Sequence, residues 1–161
     1  MTVECQAPVY SCAMVSDMAS LPSHVGEQLG PTEWRVFTQD DVNQFADLTD
    51  DHNFIHVDPE KAAASPFGRT IAHGYFTLAM LAPISQSLIE ISDLGMGVNY
   101  GLDKVRFPAP VPVGARFRGK GEIVEVTDVK GGVQAKVLLT VEVEGSEKPA
   151  VVAECLFRYY A

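Results

Sequence analysis

Asp51 and His56 stand five residues apart in the stretch Asp51-His52-Asn53-Phe54-Ile55-His56-Val57-Asp58-Pro59, and Ile71-Ala72-His73-Gly74 follows soon after. A carboxylate and an imidazole together can hold one water molecule and take its proton. Gly74 opens a long apolar run, and a backbone N–H at the start of a helix can stabilise an oxygen that gains negative charge. These are the tools needed to add water to an α,β-unsaturated thioester. Taken singly, each residue has a plainer role. Asp51 is one acid among Asp47, Asp50 and Asp58, His56 could be an ordinary structural histidine, and Gly74 could be a permissive backbone position. Asp50, Asp51, His52, His56 and Asp58 also suggest a metal cluster, but no established ligand spacing is present and no metal is expected.

The elements that must position these groups can be read from periodicity. Trp34-Arg35-Val36-Phe37 is a short strand candidate. Thr38 precedes Asp41 by three residues, a capping-box arrangement, and Val42, Phe45 and Ala46 continue with helical spacing to about Thr49. Asp58-Pro59-Glu60-Lys61-Ala62-Ala63-Ala64 reads as a capped helical segment with proline at its first position, broken by Pro66, Phe67 and Gly68. Gly74 to Ile91 reads as a helix apolar on nearly every side, hence buried, with a kink at Pro83, which crowds the carbonyl of Ala79. The period then changes to two. Val133, Ala135, Val137, Leu139, Val141 and Val143 alternate with mostly polar neighbours, as do Val151, Ala153, Cys155, Phe157 and Tyr159. Weaker strands run near Val98–Phe107 and Ala115–Val126. Lys130-Gly131-Gly132 and Gly145-Ser146-Glu147-Lys148-Pro149 are turn signals, and such short connections favour antiparallel neighbours. One buried helix and a curved antiparallel sheet wrapped around it make an α+β fold.

The chain has 161 residues, a one-domain length, with 47% hydrophobic and 20% charged residues. Its formal net charge of −9 disfavours nucleic acid or an anionic membrane as the main partner. Cys5, Cys12 and Cys155 are odd in number and lack metal-like spacing, so a reducing, cytoplasmic setting is expected. No apolar run approaches the roughly 20 residues that span a bilayer. Met1 to Ser20 does not read as a signal peptide. Residues 1–30 are taken as an N-terminal extension of unknown role, peripheral to a domain at 31–161.

The full pattern Asp51-x-Asn53-x-x-His56-x-Asp58-Pro59-x-x-Ala62, with Ile71-Ala72-His73-Gly74 before an apolar helix, resembles the MaoC-like dehydratases, the family of (R)-specific enoyl-CoA hydratases. Val105-Arg106-Phe107-Pro108-Ala109-Pro110-Val111-Pro112-Val113-Gly114 resembles the strand and turn that follow the helix there. The wording around Asp51–Asp58 and at Asn99-Tyr100-Gly101-Leu102-Asp103-Lys104-Val105-Arg106-Phe107 is most similar to the branch named after nodulation protein N. The resemblance covers roughly residues 31 to 160. It implies a single hot-dog fold and makes Asp51 and His56 the catalytic pair. Gly74 then supplies the N–H for the thioester carbonyl, with Asn53 and His73 in support. Phe54, Tyr75, Phe76 and Leu78 become candidates for the acyl pocket, and Lys104 and Arg106 for contacts with coenzyme A phosphates. Phe54-Ile55 replaces the Pro-Leu of many members, and the bulkier Phe54 is expected to reshape the pocket rim.

The activity implied is addition of water across the C2=C3 bond of a trans-2-enoyl thioester, or its reverse. No cofactor is expected beyond coenzyme A on the substrate, and a homodimer is the expected assembly. Three other activities fit the fold: dehydration of acyl-carrier-protein substrates, acyl-CoA thioester hydrolysis, and non-catalytic binding of acyl thioesters.

Overall fold

The computed structural model describes residues 13–161. Cys5 and Cys12, and the start of the segment tested for a signal peptide, lie outside those residues. In chain order the elements are β1 (Met14–Ser16), a 3-10 turn (Leu21–His24), β2 (Gln28–Leu29), β3 (Arg35–Val36), α1 (Gln39–Thr49), α2 (Phe54–Val57) and α3 (Pro59–Ala63). Then come α4 (Gly74–Ala79), α5 (Leu81–Leu88), β4 (Ile89–Ile91), β5 (Met96–Arg106), β6 (Arg116–Val129), β7 (Gly132–Val143) and β8 (Val151–Tyr160).

The main sheet has the order β2-β6-β7-β8-β5, with β3 also paired to β6 and every pairing antiparallel. Strict alternation of buried and half-buried residues along β7 and β8 is what the period of two demanded. Gly131 and Gly145 both have positive φ in the turns that return the chain, a conformation glycine adopts without strain. Ile84 and Leu88 of α5 are almost fully buried against the concave face, beside Ile123, Val137, Leu139 and Val141. Burying each such side chain stabilises the fold by about 1.5–3 kcal/mol. A Cβ on Gly119 would run into Ile84, so the missing side chain is what lets α5 lie close to β6. A sheet wrapped around a helix is the hot-dog arrangement that the resemblance implied.

Three details differ from the expectation. The helix breaks at Met80, upstream of Pro83, because proline has no N–H to bond the Ala79 carbonyl one turn earlier. It ends at Leu88 rather than Ile91. Ile89 and Ile91 are β-branched and find a parallel partner in β1, with Met14 opposite Ile89 and Ser16 opposite Ile91. Residues 14–30, read as peripheral, pack onto the fold instead: Leu21 and Leu29 are buried and β2 joins β6. Their short elements carry too few apolar repeats to show a period.

The helix is also less covered than its apolar run suggested. Tyr75 and Ala79 are exposed, and β5 at the end of the sheet is exposed along nearly its whole length. Leu78, Ala79, Leu102 and Cys155 therefore line an open groove of about 200 Å³. Burial pushes the Cys155 thiol up to about 12, so it stays protonated and inert.

Candidate active site

The site begins where α1 ends. Thr38 caps that helix in the expected capping box with Asp41. At the far end Asp50 takes a left-handed conformation (φ 58°), which turns the chain sharply and starts the bend that carries Asp51. Asn53 then caps α2 by accepting from the Ile55 N–H at 3.3 Å. Its role is to start the one-turn helix that presents His56. Asp58 caps α3, accepting from the Lys61 N–H at 3.1 Å.

His56 is buried, and its Nδ1 lies 2.7 Å from the Ile71 carbonyl oxygen. A carbonyl only accepts, so Nδ1 carries the proton and Nε2 keeps a free lone pair in the neutral ring. The main chain of the same residue is held separately. Gln39 Nε2 donates to the His56 carbonyl at 2.7 Å, while Gln39 Oε1 accepts from Thr70 Oγ1 at 2.6 Å. One glutamine on α1 thereby ties the α2 turn to the strand-like segment that orients the imidazole.

Asp51 is exposed, whereas His73 is buried and donates from Nε2 to the Asp51 carbonyl at 2.9 Å. The His56 and His73 rings stack with centroids 3.8 Å apart. Asp51, His56 and His73 bring side-chain oxygen or nitrogen atoms within 4.8 Å of one another. That separation lets one water hydrogen-bond to both Asp51 and His56. The same three atoms are also close enough to ligate one ion, and each histidine donates its other ring nitrogen to a carbonyl, as ligating histidines do.

A pocket of about 330 Å³ opens beside this pair. His56, Gly74 and Thr77 line it together with Ile55, Phe67 and the turn from Phe107 to Val111. Gly74 is the first residue of α4, so its N–H has no intrahelical acceptor. Nor does that N–H bond any acceptor among the described residues.

The expected acyl-pocket residues divide. Tyr75 is 73% exposed and meets Phe107 edge-on at the pocket mouth, and Phe54 is 44% exposed. Phe76 lies elsewhere: its ring stacks on Phe45 at 4.8 Å and packs on Phe37 at 4.4 Å, inside an aromatic column that continues to Phe117. It is core rather than pocket wall. Lys104 pairs with Glu154 at 2.9 Å and Arg106 donates to the Val105 carbonyl, and neither lines the pocket. Thr77, Phe67 and Ala150 line it without having been singled out. For the 107–111 turn a signal existed, since Pro108 and Pro110 cannot donate to a ladder and so must end β5.

Burial lowers the His56 pKa below its ordinary 6.5, and the neighbouring His73 adds to the lowering, while the Ile71 bond and Asp51 oppose it. The imidazole is thus neutral, and able to accept a proton, at neutral pH. Unfolded His56 titrates near 6.5. The stability gained by keeping it neutral is fully present above that value and is lost as pH falls through the folded one. The acid limb of kcat/KM is therefore expected below pH 6.5. A limb above pH 6.5 in a rate profile would contradict this environment.

Comparison with known proteins agrees with this geometry. Residues 20–145 match the family model described as MaoC like domain. The chain is 54% identical over 145 residues to the 3-hydroxyacyl-thioester dehydratase Z of Mycobacterium tuberculosis, covering 89% of this chain and 96% of that protein. It is 44% identical over 139 residues to Nodulation protein N of Rhizobium leguminosarum bv. viciae, covering 84% and 86%. An (R)-hydratase from A. caviae has the same fold, with a TM-score of 0.67 at 24% identity over 83% of this chain and 94% of that one. With the matched segment spanning most of the sequence and the fold shared, the chain belongs to the MaoC-like family.

Proposed function

We propose that the protein is an (R)-specific enoyl-thioester hydratase, or 3-hydroxyacyl-thioester dehydratase, acting on coenzyme A substrates. The observation that carries this reading is the convergence of Asp51 and His56, within 4.8 Å, beside a pocket that also exposes the start of α4 at Gly74. The 54% identity to a 3-hydroxyacyl-thioester dehydratase supports the reaction class.

The thioester carbonyl sits against the Gly74 N–H, a bond that strengthens as the oxygen takes on enolate charge. Asp51 and the free Nε2 of His56 hold one water beside C3. The water loses a proton to the pair as its oxygen bonds to C3, electrons move from the double bond toward the carbonyl, and a proton is delivered to C2. The sum is addition of H and OH, redox-neutral and complete without a cofactor. Phe67 and the Phe107–Val111 turn give the pocket apolar walls. A coenzyme A phosphate reaching Lys104 would compete with Glu154 for that ammonium. Assembly as a homodimer in a reducing cytoplasm completes the proposal, supported by the β5 edge left unpaired among the described residues and by the free, buried Cys155.

The test is a spectrophotometric hydration assay with trans-2-enoyl-CoA of increasing chain length, followed by an S-specific 3-hydroxyacyl-CoA dehydrogenase. Loss of the enoyl absorbance without oxidation of the product, unaffected by EDTA, is the expected result. Efficient oxidation would show the opposite stereochemistry. Thiol release from saturated acyl-CoA without any hydration would make the protein a thioesterase.

A further inference from the structure

We infer that His73 is a positioning residue for the water-activating pair, pinning the main chain of Asp51 through Nε2–H and holding the His56 ring in place through its face. This rests on Asp51 and His56 being that pair.

His73 sits where few residues could serve both partners. Its Nε2 is 2.9 Å from the Asp51 carbonyl, across 22 residues of sequence. Because that acceptor cannot donate, the proton is on Nε2 and the tautomer is opposite to that of His56. One ring contact is with His56 at 3.8 Å, and another is with Phe45 of α1 at 4.9 Å. The His73 carbonyl in turn accepts from both the N–H and the Oγ1 of Thr77, so the residue is fixed to the first turn of α4. Since Gly74 follows directly, one peptide unit links the group that faces the substrate carbonyl to the group that fixes Asp51.

A second observation separates this role from simple packing. His73 is 2% exposed, and its Nδ1 is buried without a hydrogen-bond partner among the described residues. An unpartnered buried ring nitrogen destabilises the fold, a cost that phenylalanine in the same space would not carry. The imidazole is useful at this position for what Nε2–H does. His73 does not line the pocket, so it acts through Asp51 and His56 rather than on the substrate.

His73→Gln retains a donor at the Nε2 position but loses the ring, and His73→Phe retains the ring but loses the donor. The phenylalanine variant is expected to lose roughly tenfold or more in kcat, as misplaced catalytic groups do, with KM within about twofold of wild type. The glutamine variant is expected to keep kcat within about threefold and to shift the acid limb of its pH profile upward, because His56 loses its stacked cover. Wild-type kcat in His73→Phe, or equal loss in both variants, would overturn the inference. If the phenylalanine variant fails to fold, the glutamine variant decides alone: a tenfold loss, or an unmoved acid limb, counts against it. Nitrogen-15 spectra of the wild-type histidines give a readout without activity, with His73 protonated at Nε2 and His56 at Nδ1. The reverse tautomer at His73 would also overturn it. Should Asp51→Asn remain fully active, the pair itself would be wrong, whereas an inactive Asp51→Asn beside a fully active His73→Phe would remove this inference alone.

Discussion

Asp51→Asn and His56→Gln are each expected to lower hydration of an enoyl thioester by about 10³-fold, within the range for loss of a positioned acid or base. The amides can still hydrogen-bond water but cannot take its proton at neutral pH. Asp51 is exposed, so its replacement leaves the packing intact, and circular dichroism should show native spectra. His56 sits against the Ile71 carbonyl, and its substitution removes that bond as well as the free Nε2. Because the two residues share one water, the double variant should be scarcely worse than either single one. Wild-type turnover in either folded variant would remove the mechanism.

Leu102→Glu is expected to convert a dimer into a monomer and to reduce activity at least about tenfold, since the active geometry then lacks its neighbouring copy. Among the described residues β5 bonds only β8, so its other edge presents unpaired backbone groups there along 11 residues. Exposed Met96, Val98, Tyr100 and Leu102 add apolar surface to that edge. An edge so long and apolar is a liability unless paired, and a second copy can pair it with two-fold symmetry. Leu102 faces the open groove beside Leu78 and is already 46% exposed, so glutamate there costs a lone chain little. Light scattering alongside the assay checks this. A wild-type protein that is a fully active monomer near 17.4 kDa would contradict it.

What the sequence showed depended on how local the signal was. β7 and β8 alternate so regularly that their buried faces match the expected residues one for one. The capping box at Thr38 and the glycine turns were equally plain, because each is encoded within a few residues. Asp51, His56 and Gly74 could be singled out from a motif, and the fold brings the pair together and sets the glycine on the same pocket. The bonds that fix them were not legible. Gln39 reaches His56 from another helix, and His73 reaches Asp51 from across the bend; neither contact leaves a period or a spacing. Phe76 was misplaced for a related reason. An apolar residue on a helix beside a pocket looks the same in sequence whether it faces the ligand or an aromatic column of Phe37 and Phe45. Lys104 likewise looked free because Glu154 lies fifty positions away.

The pairing pattern of the sheet also favours one order of assembly. β6, β7 and β8 follow one another with short turns and pair along most of their lengths, so little chain entropy is spent in bringing them together. β5 must find β8 from much farther away, with Met96 opposite Tyr160, and β1 must find β4, with Met14 opposite Ile89. The bend carrying Asp51 and His56 comes later still, since Gln39, Thr70 and His73 can hold it only after α1 and α4 have docked. On this account the chain acquires its sheet before it acquires its chemistry, and β-structure is expected to appear during refolding before turnover returns.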